Sequence, residues 1–341
     1  MHFFHKSLVI EKMQGSCQNA CQDILITHGA KAYQLKTRHP HMDEAIDKLK
    51  RGTAQKELSQ LIGQKNAESL WQILDEKKFI RTKFVNYFEN TAYEKQVQYF
   101  SEFVSDPNQS QERLLKSFVV IVGCGGTGNI IARLLAACGV RRFVLIDPEF
   151  IEVSNLNRQI CFTQCDVGKP KAEVLKTVLE NVVLNSEITA IQTRIDTGQT
   201  LPEILHAFPR PDLIVCAADT PPVDIQMWIA RMTLEFAIPT IFGGVGMFSG
   251  TLGPLLSTRE SANKFYLLCK KIKENKLNFN SVLSPSICFT NNAIANMIAE
   301  DAAWFLSNIK VPRTLECMLS VDTNTNEIKI ISHFAKAKEI L

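Results

Sequence analysis

Six residues of the chain, Gly123-Cys124-Gly125-Gly126-Thr127-Gly128, follow the apolar stretch 118–122 and lead into a helical pattern over 129–138. Glycines at such a junction let backbone N–H groups come close to a phosphate, and the start of a helix adds positive potential. Asp147 closes the next apolar stretch, 142–146. A carboxylate there can accept hydrogen bonds from ribose hydroxyls. On this loop alone NAD, FAD and ATP all remain open as ligands. Two further segments narrow the choice. Ser154-Asn155-Leu156-Asn157-Arg158-Gln159 comes after the Asp147 strand. Val167-Gly168-Lys169-Pro170-Lys171 opens a helix, and Pro170 suits a first turn that needs no N–H from it. Arg158 and Lys171 supply fixed positive charge near the phosphates. Holding a pyrophosphate for hydride transfer does not call for that charge. Attack on a phosphoryl group does, because negative charge develops there. Asp219, closing the stretch that begins at Asp212, offers a carboxylate to Mg²⁺, which takes one or two carboxylates together with phosphate oxygens.

The elements that must carry these groups alternate. Strands are expected over 118–122, 142–146, 188–193, 212–217 and 240–242, with helices over 129–138, 171–183, 226–236 and 292–306. This pattern predicts an α/β fold: a doubly wound, Rossmann-like, mostly parallel sheet covered on both faces. Residues 253–286 read as an irregular piece carrying Lys264, Lys270, Lys271, Lys273 and Lys276. They are either a lid that draws in an acidic peptide or one solvated helix face. A hairpin is expected over 315–321 and 327–332. Before this domain, strands at 3–10 and 31–36, helices at 43–50, 55–62 and 68–74, and a wing strand beginning at Phe79-Ile80 suggest a small α+β winged-helix-like domain. The expected division is 1–86 for that domain, 87–116 for a polar join or dimer-contact segment, and 117–341 for the nucleotide domain. Ser105-Asp106-Pro107-Asn108 reads as a turn in the join.

Composition excludes several classes. The chain has 341 residues, 45% hydrophobic and 21% charged, which is ordinary for a folded soluble domain pair. Lys and Arg number 38 against 35 Asp and Glu, a net charge of +3, too small to suggest nucleic-acid or membrane-surface binding. No apolar run is long enough to cross a membrane, and the first residues lack the order of a signal peptide. The 10 cysteines are scattered and several lie in apolar runs, so they read as buried thiols in a reducing, cytoplasmic setting.

Taken together, Gly123 to Gly128, Asp147, Ser154 to Gln159, the Val-Gly-Lys-Pro-Lys stretch and Asp219 resemble the ubiquitin-activating-enzyme-like, or ThiF/MoeB, adenylating superfamily over about residues 90–333. The resemblance implies a homodimer or pseudodimer that binds Mg-ATP and activates a carboxylate as an acyl adenylate. Carried over residue by residue, it implies that Gly125 and Gly128 approach the phosphates and Asp147 the ribose, with Gly123 and Gly126 part of the same cofactor-binding loop. Asn155, Arg158 and Lys171 would hold the triphosphate, and Asp219 the magnesium. Relatives reach into the partner's ATP site with an arginine; here Lys95 matches that position, with Arg81 as a second candidate. Many relatives hold a structural zinc with two Cys-x-x-Cys pairs. This sequence has none, so no structural zinc is expected; Cys17/Cys21 and Cys161/Cys165 are spaced by three residues but lie in unrelated segments. Cys269 reads as an incidental buried thiol rather than a nucleophile. Asn291-Asn292 resembles the microcin-maturing branch.

The first domain resembles, by pattern, the precursor-peptide recognition domain of peptide-modifying enzymes, which binds a leader peptide by strand addition. With the missing zinc cysteines this points to the peptide-maturing branch. That likeness implies ATP-dependent activation of glutamate side-chain carboxylates in a ribosomal precursor peptide, followed by ring closure with loss of water, as in pantocin-type biosynthesis. Alternatives are an adenylyltransferase that leaves AMP on a peptide carboxy terminus, a sulfur-carrier activator, or a nucleotide-binding scaffold with a degraded site.

Overall fold

Period-two and period-3.6 apolar patterns alternate along the chain, and the computed structural model turns them into two units, Met1–Val85 and Asn86–Leu341. It describes residues 2–4, 8–13, 23–28, 31–36, 39–77, 79–82, 84–275 and 285–335.

In the first unit the strands are β1 (His2–Phe4), β2 (Leu8–Met13), β3 (Asp23–His28) and β4 (Lys31–Leu35). Helices α1 (Met42–Arg51), α2 (Gln55–Ile62) and α3 (Gln64–Glu76) follow, then β5 (Ile80–Thr82). Strands β2, β3 and β4 form one antiparallel sheet in that order, and β5 pairs antiparallel with β1. The helices bury Ala45, Ile46 and Leu49, Leu58 and Ile62, and Leu70 and Leu74 around Ile24 and Ile26 of β3. The three expected helices are present. The expected strand over 3–10 is two strands, and β3 is an addition, because Ile24-Leu25-Ile26 is too short an apolar run for its period to be read.

The second unit begins with α4 (Glu94–Phe100) and α5 (Pro107–Lys116). There follow β6 (Phe118–Val122), α6 (Gly128–Ala137), β7 (Arg142–Ile146), α7 (Lys171–Glu180), β8 (Glu187–Ile191), α8 (Thr200–Leu205), β9 (Leu213–Cys216), α9 (Asp224–Phe236), β10 (Thr240–Val245) and β11 (Ser249–Leu256). The unit closes with α10 (Arg259–Glu274), α11 (Cys288–Ser307), β12 (Cys317–Asp322) and β13 (Glu327–His333). Eight strands form one sheet in the order β13-β12-β11-β10-β9-β6-β7-β8. The run from β10 to β8 is parallel, and β11, β12 and β13 extend it antiparallel.

Every residue of β6 is buried. Successive side chains of a strand point to opposite faces. Val119 and Ile121 accordingly enter the core under α6, α7 and α11, while Phe118, Val120 and Val122 enter the core under α8, α9 and α10. This double burial is why the central strands read as continuous apolar runs.

Two expectations are corrected. Asp106-Pro107 is not a turn between domains but the start of α5. The Asp106 side chain accepts from the Gln109 N–H at 3.1 Å and Pro107 fills the first helical turn. The piece expected to be irregular, 253–286, contains the end of β11 and all of α10. Gly250, Gly253 and Pro254 hide β11 from propensity, yet the sheet needs the glycines: a Cβ on Gly250 would lie 2.5 Å from Ile294 of α11, and one on Gly253 2.6 Å from Thr314. In α10, Ala262, Phe265 and Cys269 form the buried stripe. Its lysines face outward in ion pairs: Lys264 with Glu260 at 2.6 Å, Lys270 with Glu274 at 3.8 Å, and Lys273 with Asp224 at 2.5 Å. Of the two readings of the lysine run, the described part has the form of the solvated helix face; Lys276 lies outside the described residues. Among the described residues no helix is long and apolar enough to cross a membrane.

Candidate active site

The site grows from the carboxyl ends of three adjacent parallel strands, β9, β6 and β7. Past β6 the chain turns at Gly123, whose φ of +92° is a left-handed value. The Gly123 N–H donates to the carbonyl of Ile146 at 2.9 Å, and the Ala217 N–H donates to that of Val122 at 2.8 Å. A Cβ on Gly123 would sit 2.8 Å from backbone atoms of Ala217 and Ala218. The three strand ends are therefore drawn together around one glycine. Asn129, fully buried in the first turn of α6, donates its amide to the carbonyls of Gly125 and Gly126, the latter at 3.3 Å. With these carbonyls held by Asn129, the N–H groups of Gly125, Gly126 and Thr127 make no hydrogen bond among the described residues. Three free N–H groups at a helix N-terminus form a cradle for an anion.

Asp147 lies at the root of this loop, 5% exposed. Its carboxylate accepts from the Cys124 N–H at 2.6 Å and from the Glu149 N–H at 2.8 Å. Burial pushes its carboxyl above the usual carboxylate range, against the pull of those two N–H groups and of Lys171. Asp147 thus ties the loop to the chain leaving β7. Sequence reasoning overlooked Glu149. Lys171 is 4% exposed at its side chain, and its Nζ donates to Glu149 at 2.6 Å, while Glu149 itself stays 60% exposed. The Lys171 N–H donates to the Glu149 carbonyl at 3.0 Å, and Phe150 bridges Pro170, so the start of α7 is bound directly to the post-β7 segment. The available signal was the spacing Asp147-x-Glu149, which sets two acids on one side of an extended chain.

Asn155 is buried, and its Oδ1 accepts from the Glu152 N–H at 3.1 Å, which shapes the turn carrying Arg158. The Arg158 guanidinium donates to the Ser154 carbonyl at 2.8 Å and to Asn157 Oδ1 at 3.0 Å. Gln159 is buried beside the loop, its Oε1 without a hydrogen-bond partner among the described residues and its Nε2 3.8 Å from where a Cβ on Gly125 would lie. Asp219 lies exposed beyond β9, accepting from the Thr220 hydroxyl at 3.1 Å. Gly123 to Gly128, Asp147, Asn155, Arg158, Lys171 and Asp219 therefore all follow the carboxyl ends of β6, β7 and β9. Lys95 does not join them. It is exposed on α4, beside Gln96, whose amide reaches Cys138 at the far end of α6, and a helix of that length spans about 15 Å. Nothing is described of the Arg81 side chain.

Among the described residues no group of three or more His, Cys, Asp or Glu could hold a metal ion. Cys161 is buried and Cys165 exposed, and Cys17 and Cys21 lie outside the described residues. A single exposed carboxylate, Asp219, fits Mg²⁺ shared with phosphate oxygens, the donor set that ion prefers.

The buried thiols are poor nucleophiles. Burial pushes Cys161 up to about 11 and Cys216 and Cys269 up to about 12. A thiol at about 12 is only about one part in ten thousand thiolate at pH 8. Brief alkylation at pH 8 should therefore label Cys165 and spare Cys216 and Cys269, as read by peptide mapping. Rapid labelling of Cys269 would restore it as a candidate nucleophile.

The ThiF family model matches residues 93–340. The chain belongs to the ThiF family. Within the family it is 36% identical over 142 residues to a sulfur carrier protein adenylyltransferase of Thermus thermophilus, a stretch that is 42% of this chain and 50% of that protein. The chain spans between about a quarter and two thirds of the length of the curated relatives it matches, and half of that Thermus protein. Its fold is that of E. coli MccB, solved with ATP, at a TM-score of 0.78, 23% identity and coverage of 98% of both chains. PaaA shares the fold at a TM-score of 0.68 and 20% identity, over 96% of this chain and 99% of that one. The ThiF assignment agrees with the superfamily expected from the loop, the Ser154–Gln159 turn and Lys171. The doubly wound, mostly parallel sheet is likewise as expected.

Proposed function

We propose that this chain is an ATP-dependent adenylating enzyme that activates a carboxylate of a peptide. The observation carrying this reading is the cradle of free N–H groups at Gly125, Gly126 and Thr127, with Arg158 on the turn that follows the neighbouring strand and Lys171 at the start of α7, tied to that strand's exit through Glu149. A carboxylate is a weak electrophile. Its attack on the α-phosphorus of ATP forms a mixed anhydride with AMP and releases pyrophosphate, and the carbonyl carbon then carries a good leaving group. Charge develops on the phosphoryl oxygens during that displacement. The Lys171 ammonium, the Arg158 guanidinium and the loop N–H groups are fixed before it does, so no reorganisation is needed. Asp147 is suited to the ribose hydroxyls. Asp219 would hold Mg²⁺, which when bound neutralises phosphate charge.

The finer reading is a ribosomal precursor peptide whose glutamate side chains are activated and then captured by a neighbouring nucleophile, with loss of water. The first unit supports it: β4 is an edge strand of the β2-β3-β4 sheet, and an edge can take an added peptide strand. E. coli MccB, described as a microcin C7 biosynthetic enzyme, has been solved with N-formylated MccA. We further read the working unit as a homodimer in which Lys95 of one copy serves the other copy's nucleotide, and its location as cytoplasmic.

The test is to incubate the chain with Mg-ATP and synthetic peptides carrying internal glutamates, following pyrophosphate–ATP exchange and peptide mass. Peptide-dependent exchange with a mass lowered by water supports cyclisation. A mass raised by AMP would favour stable adenylation instead. No exchange with any peptide or small sulfur-carrier protein would overturn the enzyme reading.

A further inference from the structure

The first turn of α11 rests against the phosphate loop. Asn291 is 4% exposed. Its Nδ2 donates to Ser286 Oγ and to the Ile287 carbonyl, each at 2.8 Å. With that amide committed, the side chain is not free to swing, and its Oδ1 occupies the place a Cβ on Gly126 would take. Cγ of Asn291 would lie 3.3 Å from that Cβ, and among the described residues beyond the two chain neighbours no other atom comes within 4 Å. The same short segment has a second attachment: Asn157 Nδ2 donates to the Ser286 carbonyl at 3.0 Å. Asn157 also accepts from Arg158. Residues 286–291 thus touch both halves of the nucleotide grip, the glycine loop through Gly126 and the arginine turn through Asn157.

We propose that Asn291 is a positioning residue of this site. It acts as a stop that fixes the Gly126 peptide, so that the free N–H groups of the loop keep one direction. Through Ser286 and Asn157 it holds the Arg158 turn in register with that loop. The inference rests on the ATP reading of the site and deepens it. It has a specific consequence. Gly126 is glycine because Asn291 fills the space beside it, not because a phosphate needs the room. Asn291 itself does not touch the reacting atoms.

The experiment is a double-mutant cycle read by fluorescent ATP-analogue binding and by the thermal midpoint without nucleotide. Gly126→Ala should weaken binding roughly tenfold or more, because the added methyl overpacks against a fixed side chain. Asn291→Gly should weaken it by about threefold to tenfold through a looser loop. The double variant should bind within about threefold of Asn291→Gly alone, and its thermal midpoint should recover from that of Gly126→Ala. Should Gly126→Ala not fold, Asn157→Ala carries the test. It should weaken binding several-fold alone, and add nothing further on top of Asn291→Gly. A double variant as weak as Gly126→Ala, additive losses for Asn157 and Asn291, or normal binding by Asn291→Gly would overturn the inference while leaving the ATP reading intact. Wild-type protein that binds no nucleotide would instead overturn the ATP reading, and this inference with it.

Discussion

Lys171→Ala should cost adenylation roughly a hundredfold or more while leaving the fold nearly as stable as before. The two effects separate because of how the Lys171–Glu149 pair is buried. Breaking a buried ion pair costs about 3–5 kcal/mol when the survivor is a charge stranded away from water. Here the survivor is Glu149, 60% exposed and able to regain water, while the buried partner is the one removed. What is lost is packing of the lysine stem and one favourable charge near the buried Asp147, which keeps its two N–H donors from Cys124 and Glu149. Pyrophosphate–ATP exchange and a thermal melt on the same preparation check both halves. Full exchange activity in the variant would remove Lys171 from the chemistry. A collapsed melt would show that the ion pair serves the fold instead.

Gly123→Ala is expected to abolish nucleotide binding and to destabilise the second unit by about 2–4 kcal/mol. Two costs add. At φ +92° an alanine is strained whatever the space. Its Cβ would also meet backbone atoms of Ala217 and Ala218 at 2.8 Å, and backbone between two parallel strands cannot rotate aside as a side chain would. The end of β9 would have to move, taking Asp219 with it. Gly125→Ala is the internal control. Its Cβ meets nothing nearer than Gln159 Nε2 at 3.8 Å, an ordinary contact, so urea midpoints should differ clearly between the two variants. Equal midpoints would show that the strand ends are not held by Gly123.

The contrast between these two glycines marks where sequence reasoning stops. The run from Gly123 to Gly128 can be read as a phosphate loop from its place between a strand and a helix. Which glycine is structural and which leaves an N–H free depends on neighbours far away in the chain, Ala217, Asn129 and Asn291. Asp147 was legible as the acid at the end of β7. Its bonds to Cys124 and Glu149 were not, because they arise from the path of the loop rather than from residue type. The helix α10 was missed for a related reason. Its lysines dominate the composition of that stretch, and the buried stripe of Ala262, Phe265 and Cys269 has meaning only once the sheet supplies a surface to bury it on.

The sequence by itself determined that strands and helices alternate, because buried strands must be apolar on both faces and amphipathic helices on one. It also determined the chemical cast of the site, since the residue types at the strand ends are local facts. Only the tertiary structure decided that β11 joins the sheet and carries the expected β12–β13 hairpin onto its edge, that Lys171 meets Glu149, and that Lys95 stays away from its own chain's loop. Those outcomes turn on which segments come into contact across long stretches of chain. Contact of that kind is set by the packing of the whole unit, and no local window of residues contains it.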